Sequence, residues 1–578
     1  MFSKTWETSE RKYNFIVERD VRIVMKDGTE ISADIFRPES NEKFPGILGI
    51  HPYPQQPQTA PIKPNSFSSV TFPHPGEEKG RGWIESGDPN FLVRRGYVQV
   101  VANVRGTGKS GGKYDFMGAQ EIQDTYEVIE WIAKQPWCDG KVGMFGVSYF
   151  AWIQIFVAAL NPPSLKCIFA PHGLTDFYRD WIYRGGIFGY NFIRALAKDY
   201  SNPRFELITR KMFGEEEVKK RIARAFEDED LMAIPGMAGV LKNIDEGINP
   251  IIADVMLNPL DGPFWEERKA KYNTTKVPAY LGGCWATYGL HLPGAFRSWE
   301  NLKVPKKMVI GPPMYLDRPF YQFQFEALRW FDHWLKGIDT GLMKEAPVKL
   351  FVMGTDKWRE AEDWPLPETK WTPFYLHEDE LLCEHEHWPN EGPDSFEDSL
   401  WKRGYLEYYS PVLVEDTEVI GPIVLNLYAS TTDDEVLWLI SLREVDKQGN
   451  ERVLTRGWLR GTHREVDPKR SKPWAPFHPH TKSEPLTPGK IYEFNIPIIP
   501  TGNLFKAGSK IGLKISCSDD VPKHAFEQIA GGNIRRQSCS RITVYHDADR
   551  PSHLLLPVTS GNLLGTFLSG GKPYVDFS

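Results

Sequence analysis

The sequence predicts an α/β chain: a doubly wound, mostly parallel sheet with an inserted helical cap, followed by a C-terminal β-sandwich of jelly-roll type. Three observations carry this expectation. Short apolar runs at 46–50, 97–104, 142–147, 165–170, 277–282 and 308–311 have the length and composition of strands buried on both faces. Helical stretches separate several of them: 121–134 gathers Ile122, Tyr126, Ile129, Ile132 and Ala133 near one face, and 151–160 is apolar throughout. After an amphipathic helix at 323–335 and its stop at Gly337, the helical period gives way to strand-like segments at 348–352, 423–428, 436–442, 511–516 and 541–545.

The remaining segments fill in this frame. Residues 13–37 alternate apolar and polar on both sides of Lys26-Asp27-Gly28, so the chain opens on a hairpin with Asp-Gly at its turn. Residues 174–275 interrupt the sheet with aromatic and charged helical pieces, such as 191–200 and 215–226. The expected organisation is an α/β domain from 1–173 and 276–344, a helical cap at 174–275 and a β-domain at 345–578. A chain of 578 residues exceeds the roughly 250–300 at which single cores stop growing, in keeping with several packed units. No repeat of fixed period is visible.

Composition narrows the function classes. Lys+Arg 69 against Asp+Glu 76 leaves a dispersed net charge of -7, which argues against a nucleic-acid or membrane partner and for a small-molecule substrate. The first residues hold no apolar core of signal-peptide length and no run of about 18 apolar residues occurs, so a cytoplasmic protein is expected. Cys138, Cys167, Cys284, Cys383, Cys517 and Cys539 lack metal-ligand spacing and are expected as reduced thiols, with no metal and no cofactor.

Chemistry concentrates at Gly143-Met144-Phe145-Gly146-Val147-Ser148-Tyr149-Phe150, where a strand runs directly into an apolar helix. A sharp turn there lifts a serine oxygen above the sheet, and the N–H groups at the helix start can hold a developing oxyanion. This makes Ser148 the nucleophile candidate in an α/β-hydrolase arrangement. The usual second glycine of the motif is replaced by Phe150. The Gly-rich stretch 105–112 lacks the spacing of a phosphate loop and reads as structural.

Around this junction, Arg105-Gly106-Thr107-Gly108-Lys109-Ser110-Gly111-Gly112, Gln120-Glu121, Asp124, Trp131, Gln135-Pro136-Trp137, Asp139-Gly140 and Gly146-Val147-Ser148-Tyr149 follow in order, with Asn161-Pro162-Pro163-Ser164-Leu165 and Phe331-Asp332-His333-Trp334-Leu335-Lys336-Gly337 further on. Over nearly its whole length the chain resembles the X-Pro dipeptidyl-peptidase and cocaine-esterase (CocE/NonD) family. The resemblance implies serine hydrolysis of esters or amides without a metal or organic cofactor. It also implies an oxyanion hole made by the Tyr53 hydroxyl, in His51-Pro52-Tyr53, and the backbone N–H of Tyr149.

The same resemblance exposes a gap. A serine nucleophile needs a base and the base an orienter, in chain order Ser, Asp, His. The family aspartate position is occupied by Thr287, in Gly283-Cys284-Trp285-Ala286-Thr287, and the stretch Gly311-Pro312-Pro313-Met314-Tyr315-Leu316-Asp317 holds no histidine. Between His172 and His377 only His291 and His333 occur. His291, in the loop beyond Thr287, is the candidate base; His172 is an outside candidate, and His333, in an amphipathic helix, reads as structural. Asp317 is the candidate orienter or substrate contact.

Three functions fit these residues. The first is a serine hydrolase of a small-molecule ester, lactone or amide with a non-standard base. The second is a hydrolase fold converted to a cyclisation, elimination or rearrangement in specialised metabolism. The third is a catalytically silent binding protein. The large β-domain also offers a surface for a homodimer.

Overall fold

In the computed structural model, the structure describes residues 7–53, 85, 87–194, 205–245, 250–313, 319–385, 390–520 and 530–561. The expected hairpin forms as β1 (Phe15–Val24) and β2 (Glu30–Pro38), and the apolar runs become β3 (Phe44–His51), β4 (Val98–Asn103), β5 (Cys138–Phe145) and β6 (Leu165–Pro171). A two-stranded hairpin, β7 (Tyr183–Arg184) and β8 (Ile187–Phe188), opens the inserted segment, whose other elements are short helices between Ile208 and Glu266. The main sheet resumes with β9 (Ala279–Cys284), β10 (Lys306–Gly311), β11 (Val348–Val352) and β12 (Lys357–Ala361). Its ten strands lie in the order β1-β2-β4-β3-β5-β6-β9-β10-β11-β12. From β4 to β11 every neighbouring pair is parallel, and β1, β2 and β12 are antiparallel additions at the edges.

Both faces of the sheet are buried, as continuous apolar strands require. In β5, β6, β9 and β10 the side chains alternate between two cores: Met144, Ile168, Leu281 and Met308 join one, while Phe145, Phe169, Tyr280 and Val309 join the other. Helices α1 (Ala119–Ala133), α2 (Tyr149–Ala158), α3 (Leu292–Asn301) and α4 (Pro319–Lys336) follow their strands. The second core is completed by α4, through Leu328, Trp330, Phe331 and Leu335. All six cysteines are free thiols, and all but Cys539 are buried.

Val348–Val352, which the sequence pattern assigns to the C-terminal β-domain, instead extends the main sheet, pairing in parallel with β10. A strand paired in parallel on one side and antiparallel on the other carries the same local pattern as a sandwich strand, so its periodicity does not distinguish the two. The β-domain then begins with β13 (Lys370–His377), β14 (Leu381–Cys383), β15 (Asp394–Asp398), β16 (Tyr405–Tyr409), β17 (Thr417–Thr431) and β18 (Leu437–Val445). It continues with β19 (Glu451–Arg460), β20 (Tyr492–Phe505), β21 (Lys510–Ser516), β22 (Ser540–Tyr545) and β23 (His553–Ser560). In place of the two separate sheets of the expected jelly-roll sandwich, hydrogen bonding runs β17-β20-β19-β18-β21-β16-β14-β13-β23 and returns to β17, so nine strands close into a barrel, with β22 paired to β17 and β15 to β22. Met353, just past β11, donates its N–H to the Gly502 carbonyl (3.0 Å) and accepts from Leu504 (2.8 Å), which joins the sheet to the barrel through backbone.

Asp332, on α4, is fully buried. Its carboxylate accepts from the Ser9 N–H (2.6 Å), the Ser9 hydroxyl (2.6 Å) and the Tyr97 hydroxyl (2.5 Å), with the Lys336 ammonium 3.8 Å away. The neighbouring His333 is partly buried with its ring edge-on to Trp334, in keeping with a structural histidine. Asp332→Ala is expected to destabilise the fold by roughly 3 kcal/mol, because it strips several donors of a charged acceptor in the interior; a denaturant midpoint unchanged from the parent would exclude this role.

Candidate active site

Strand β5 ends at Phe145, and α2 begins at Tyr149. The chain turns between them with Ser148 at φ 57° and ψ -120°, a conformation that costs about 1–3 kcal/mol and persists only where the surroundings enforce it. Gly146 is one enforcing element. At its φ of 149°, an added Cβ would lie 2.3 Å from the Cβ of Phe150 and 2.9 Å from the Glu85 carbonyl oxygen. The clearance between strand and helix is therefore supplied by Gly146, and this is how Phe150 can occupy the usual place of a second glycine; its ring stacks on His51 at 4.8 Å. Buried Gln154 completes the brace. Its amide donates to the carbonyls of Gly146 (3.2 Å) and Phe150 (2.8 Å), while its oxygen accepts from the Phe169 N–H on β6 (3.0 Å).

Strand order places the serine at a productive position. β3 lies between β4 and β5, so the winding direction reverses beside it, and ligands of open α/β sheets bind beyond the carboxyl ends of strands at such a reversal. Tyr53 follows β3 and Ser148 follows β5. Asn103, at the end of β4, donates to the Tyr53 carbonyl (2.8 Å), and the Tyr53 ring meets the Tyr149 ring edge-on at 5.9 Å.

Across the cleft, the loop after β9 brings His291 to the serine, with Ser148 Oγ and His291 Nε2 3.1 Å apart. His291 stands at the N-cap of α3 and its backbone N–H donates to the Thr287 carbonyl (3.0 Å). Ser148 and His291 line a cavity of about 20 Å³ with Tyr53, Tyr149, Trp152, Trp181 and Phe192, which has room for about one water molecule.

His291 is buried, and both its burial and the nearby His172 push its pKa well below the ordinary histidine value. His172, buried after β6, is itself pulled down to about 3 by burial, and its ring stands edge-on to His291 at 5.9 Å. The pair is therefore neutral in ordinary buffers, which leaves an imidazole nitrogen able to accept the serine proton. Thr287 does not supply a charge to this ring: its hydroxyl donates to the Cys284 carbonyl at 3.0 Å. Asp317 lies outside the described residues. Among the described residues no group of three or more His, Cys, Asp and Glu side chains could hold a metal ion.

One buried cluster escaped the sequence reading. The Tyr149 phenol donates to Glu121 and lies 2.8 Å from the Tyr114 phenol, while the second Glu121 oxygen accepts from the Met117 N–H (3.2 Å). Burial, followed by the charge of Asp115, raises the Glu121 carboxyl well above its ordinary range. This chain fixes the ring of Tyr149 and thereby the first turn of α2, where the Ala151 and Trp152 N–H groups donate to the Ser148 carbonyl (2.9 and 3.1 Å). The only sequence signal was a carboxylate in the first turn of a helix that faces the core. The stretch 105–112 is structural, as expected. Arg105 forks onto both oxygens of Asp124 (2.6 and 2.7 Å) and reaches Asp27 (2.7 Å), joining α1 to the opening hairpin.

Residues 27–314 match the model of the X-Pro dipeptidyl-peptidase (S15) family, and residues 340–555 match that of the X-Pro dipeptidyl-peptidase C-terminal non-catalytic domain. The chain belongs to the S15 family. It is thus a hydrolase of a serine-hydrolase family, in line with the elbow at Ser148. A cocaine esterase of Rhodococcus sp. (strain MB1 Bresler) is 26% identical over 615 residues, covering 94% of this chain and 99% of its own. A putative Xaa-Pro dipeptidyl-peptidase of Bacillus anthracis is 26% identical over 554 residues, covering 88% and 83%. A CocE/NonD family hydrolase from Staphylococcus aureus shares the fold with a TM-score of 0.77 at 24% identity over 94% of each chain. No described helix is long and apolar enough to cross a membrane.

Protonation of His291 would block proton transfer from Ser148 to its ring, and that protonation is displaced to acid pH by burial and by His172. The rate of Ser148 acylation is accordingly expected to stay level between pH 8 and about pH 6, with its acid limb below the ordinary histidine range. A half-maximal rate near pH 6.5 would contradict this environment.

Proposed function

We propose that this S15 member hydrolyses an ester, lactone or amide of a small molecule through an acyl-enzyme on Ser148. The observation that carries the reading is the 3.1 Å contact between Ser148 Oγ and His291 Nε2, which joins a nucleophile to a base across 143 residues of chain. In this mechanism His291 Nε2 accepts the hydroxyl proton as Ser148 Oγ attacks the carbonyl carbon. The carbonyl oxygen becomes an oxyanion, held by the Tyr149 N–H and the Tyr53 hydroxyl, two donors most effective in the transition state. The imidazolium then protonates the leaving group, and water repeats the sequence to free Ser148. The aromatic lining and small volume at the serine suit a compact acyl group.

The base is non-standard because its orienting acid is replaced by Thr287. An imidazolium gains no charge stabilisation from a threonine at that position, which favours activated esters over peptides. The same observation supports a second reading, in which the oxyanion donors serve a cyclisation, elimination or rearrangement without acyl-enzyme formation.

Intact-protein mass spectrometry after treatment with a fluorophosphonate separates the two. The acyl-enzyme reading expects a single adduct that disappears in Ser148→Ala, a loss of at least about 10²-fold in labelling rate for His291→Ala, and a loss of about 10-fold or more in ester turnover for Tyr53→Phe. A folded parent chain that takes no adduct would favour the second reading.

A further inference from the structure

The residue that bears the proposed base lies on a short loop, and the loop is seated on the C-terminal barrel. Between the end of β9 and the start of α3 only 285–291 intervene. Trp285 donates its indole N–H to the Phe351 carbonyl at 2.5 Å, and its ring faces Gly502 of β20, where an added Cβ would come within 2.5 Å. Gly289 lies against Ala530 of the segment before β22, so that a Cβ on Gly289 would be 2.6 Å from that of Ala530. The Tyr288 phenol lies beside the Arg456 guanidinium of β19.

Arg184 joins these parts. It is buried on the β7–β8 hairpin, and its guanidinium donates to the Gly289 carbonyl (2.7 Å), the Ala530 carbonyl (2.9 Å) and the Asn533 side-chain oxygen (3.1 Å), with the Trp458 ring 5.0 Å below. The hairpin that carries it is fixed to the barrel by backbone: Arg460 donates to the Gly185 carbonyl (2.7 Å), Ile534 to Phe188 (2.8 Å) and Tyr190 to Gly532 (2.9 Å). A Cβ at Gly185 would fall 2.0 Å from the Trp458 carbonyl oxygen, which leaves no slack between hairpin and barrel. The planar fork of an arginine suits two divergent carbonyls, whereas a lysine offers a point donor.

From this geometry we infer that Arg184 is a positioning residue of the active site, which with Ala530 and Asn533 of the C-terminal domain fixes the loop that presents His291 to Ser148. The inference rests on His291 being the base. It gives the C-terminal domain a part in catalysis, since Gly289 is two residues from His291 and a shift of that carbonyl displaces the imidazole from the serine oxygen. Misplacement of a catalytic group by about 1 Å can cost about 10²-fold in rate.

The test is a double-mutant cycle read as the rate of Ser148 labelling by a fluorophosphonate. Arg184→Met is expected to slow labelling at least about tenfold in the parent, but less than about twofold in the His291→Ala background, because a residue that acts through His291 has nothing to position once the imidazole is gone. Equal losses in both backgrounds, or labelling at the parent rate in Arg184→Met, would overturn the inference while leaving His291 as base. Parent-rate labelling in His291→Ala alone would overturn the base and the inference with it. Should Arg184→Met fail to fold, Arg184→Lys, which keeps the buried charge but not the fork, takes its place in the same cycle, with a loss expected in the parent background only and a parent rate counting against the inference.

Discussion

The close approach of α2 to the end of β5 is the constraint from which the rest of this site follows. A helix that starts within three residues of a buried strand leaves no room for a side chain at Gly146, and it forces Ser148 into a conformation that an isolated chain would leave. Gln154 and the Glu85 carbonyl hold the turn from two sides. Because the turn sits where the winding of the sheet reverses, Tyr53 arrives beside it from β3, and the loop after β9 has a cleft to reach across.

Much of the frame was legible in the sequence because the signals there are local. Continuous apolar runs disclosed the parallel strands, Asp27-Gly28 the opening hairpin, and Gly146-Val147-Ser148 the elbow. His291 was reached by elimination among few histidines, and the structure brings it to the serine. What stayed hidden depends on contacts between distant segments. The alternation in Val348–Val352 does not reveal which sheet it joins, and no local pattern distinguishes two stacked sheets from a ring of strands closed by β17 and β23. Glu121 gave no sign that it would be buried against Tyr149, since a carboxylate in a first helical turn is ordinarily a solvated one favoured by the helix dipole.

The electrostatics of the cleft are those of a neutral site. Burial disfavours the charged form of every group there, raising Glu121 and lowering His172 and His291. A carboxylate facing His291 would offset part of that penalty when the imidazole takes a proton; the Thr287 hydroxyl, turned to the Cys284 carbonyl, does not. The structure thus combines a well-braced serine turn with a buried imidazole whose charged form burial disfavours.

The closure of the β-domain has a bearing on how copies of this chain can meet. A ring of strands has no first or last member, and among the described residues each of the nine strands of the barrel has a neighbour on both sides. The attached strand β15 is an open margin, and its sequence, Asp394-Ser395-Phe396-Glu397-Asp398, places three carboxylates along five residues. Each of these carboxylates meets a basic side chain of its own chain: His546, Lys402 and Arg535 in turn. Pairing of two barrels around the ring is therefore left to side chains on their outer walls, where shape and charge set the geometry.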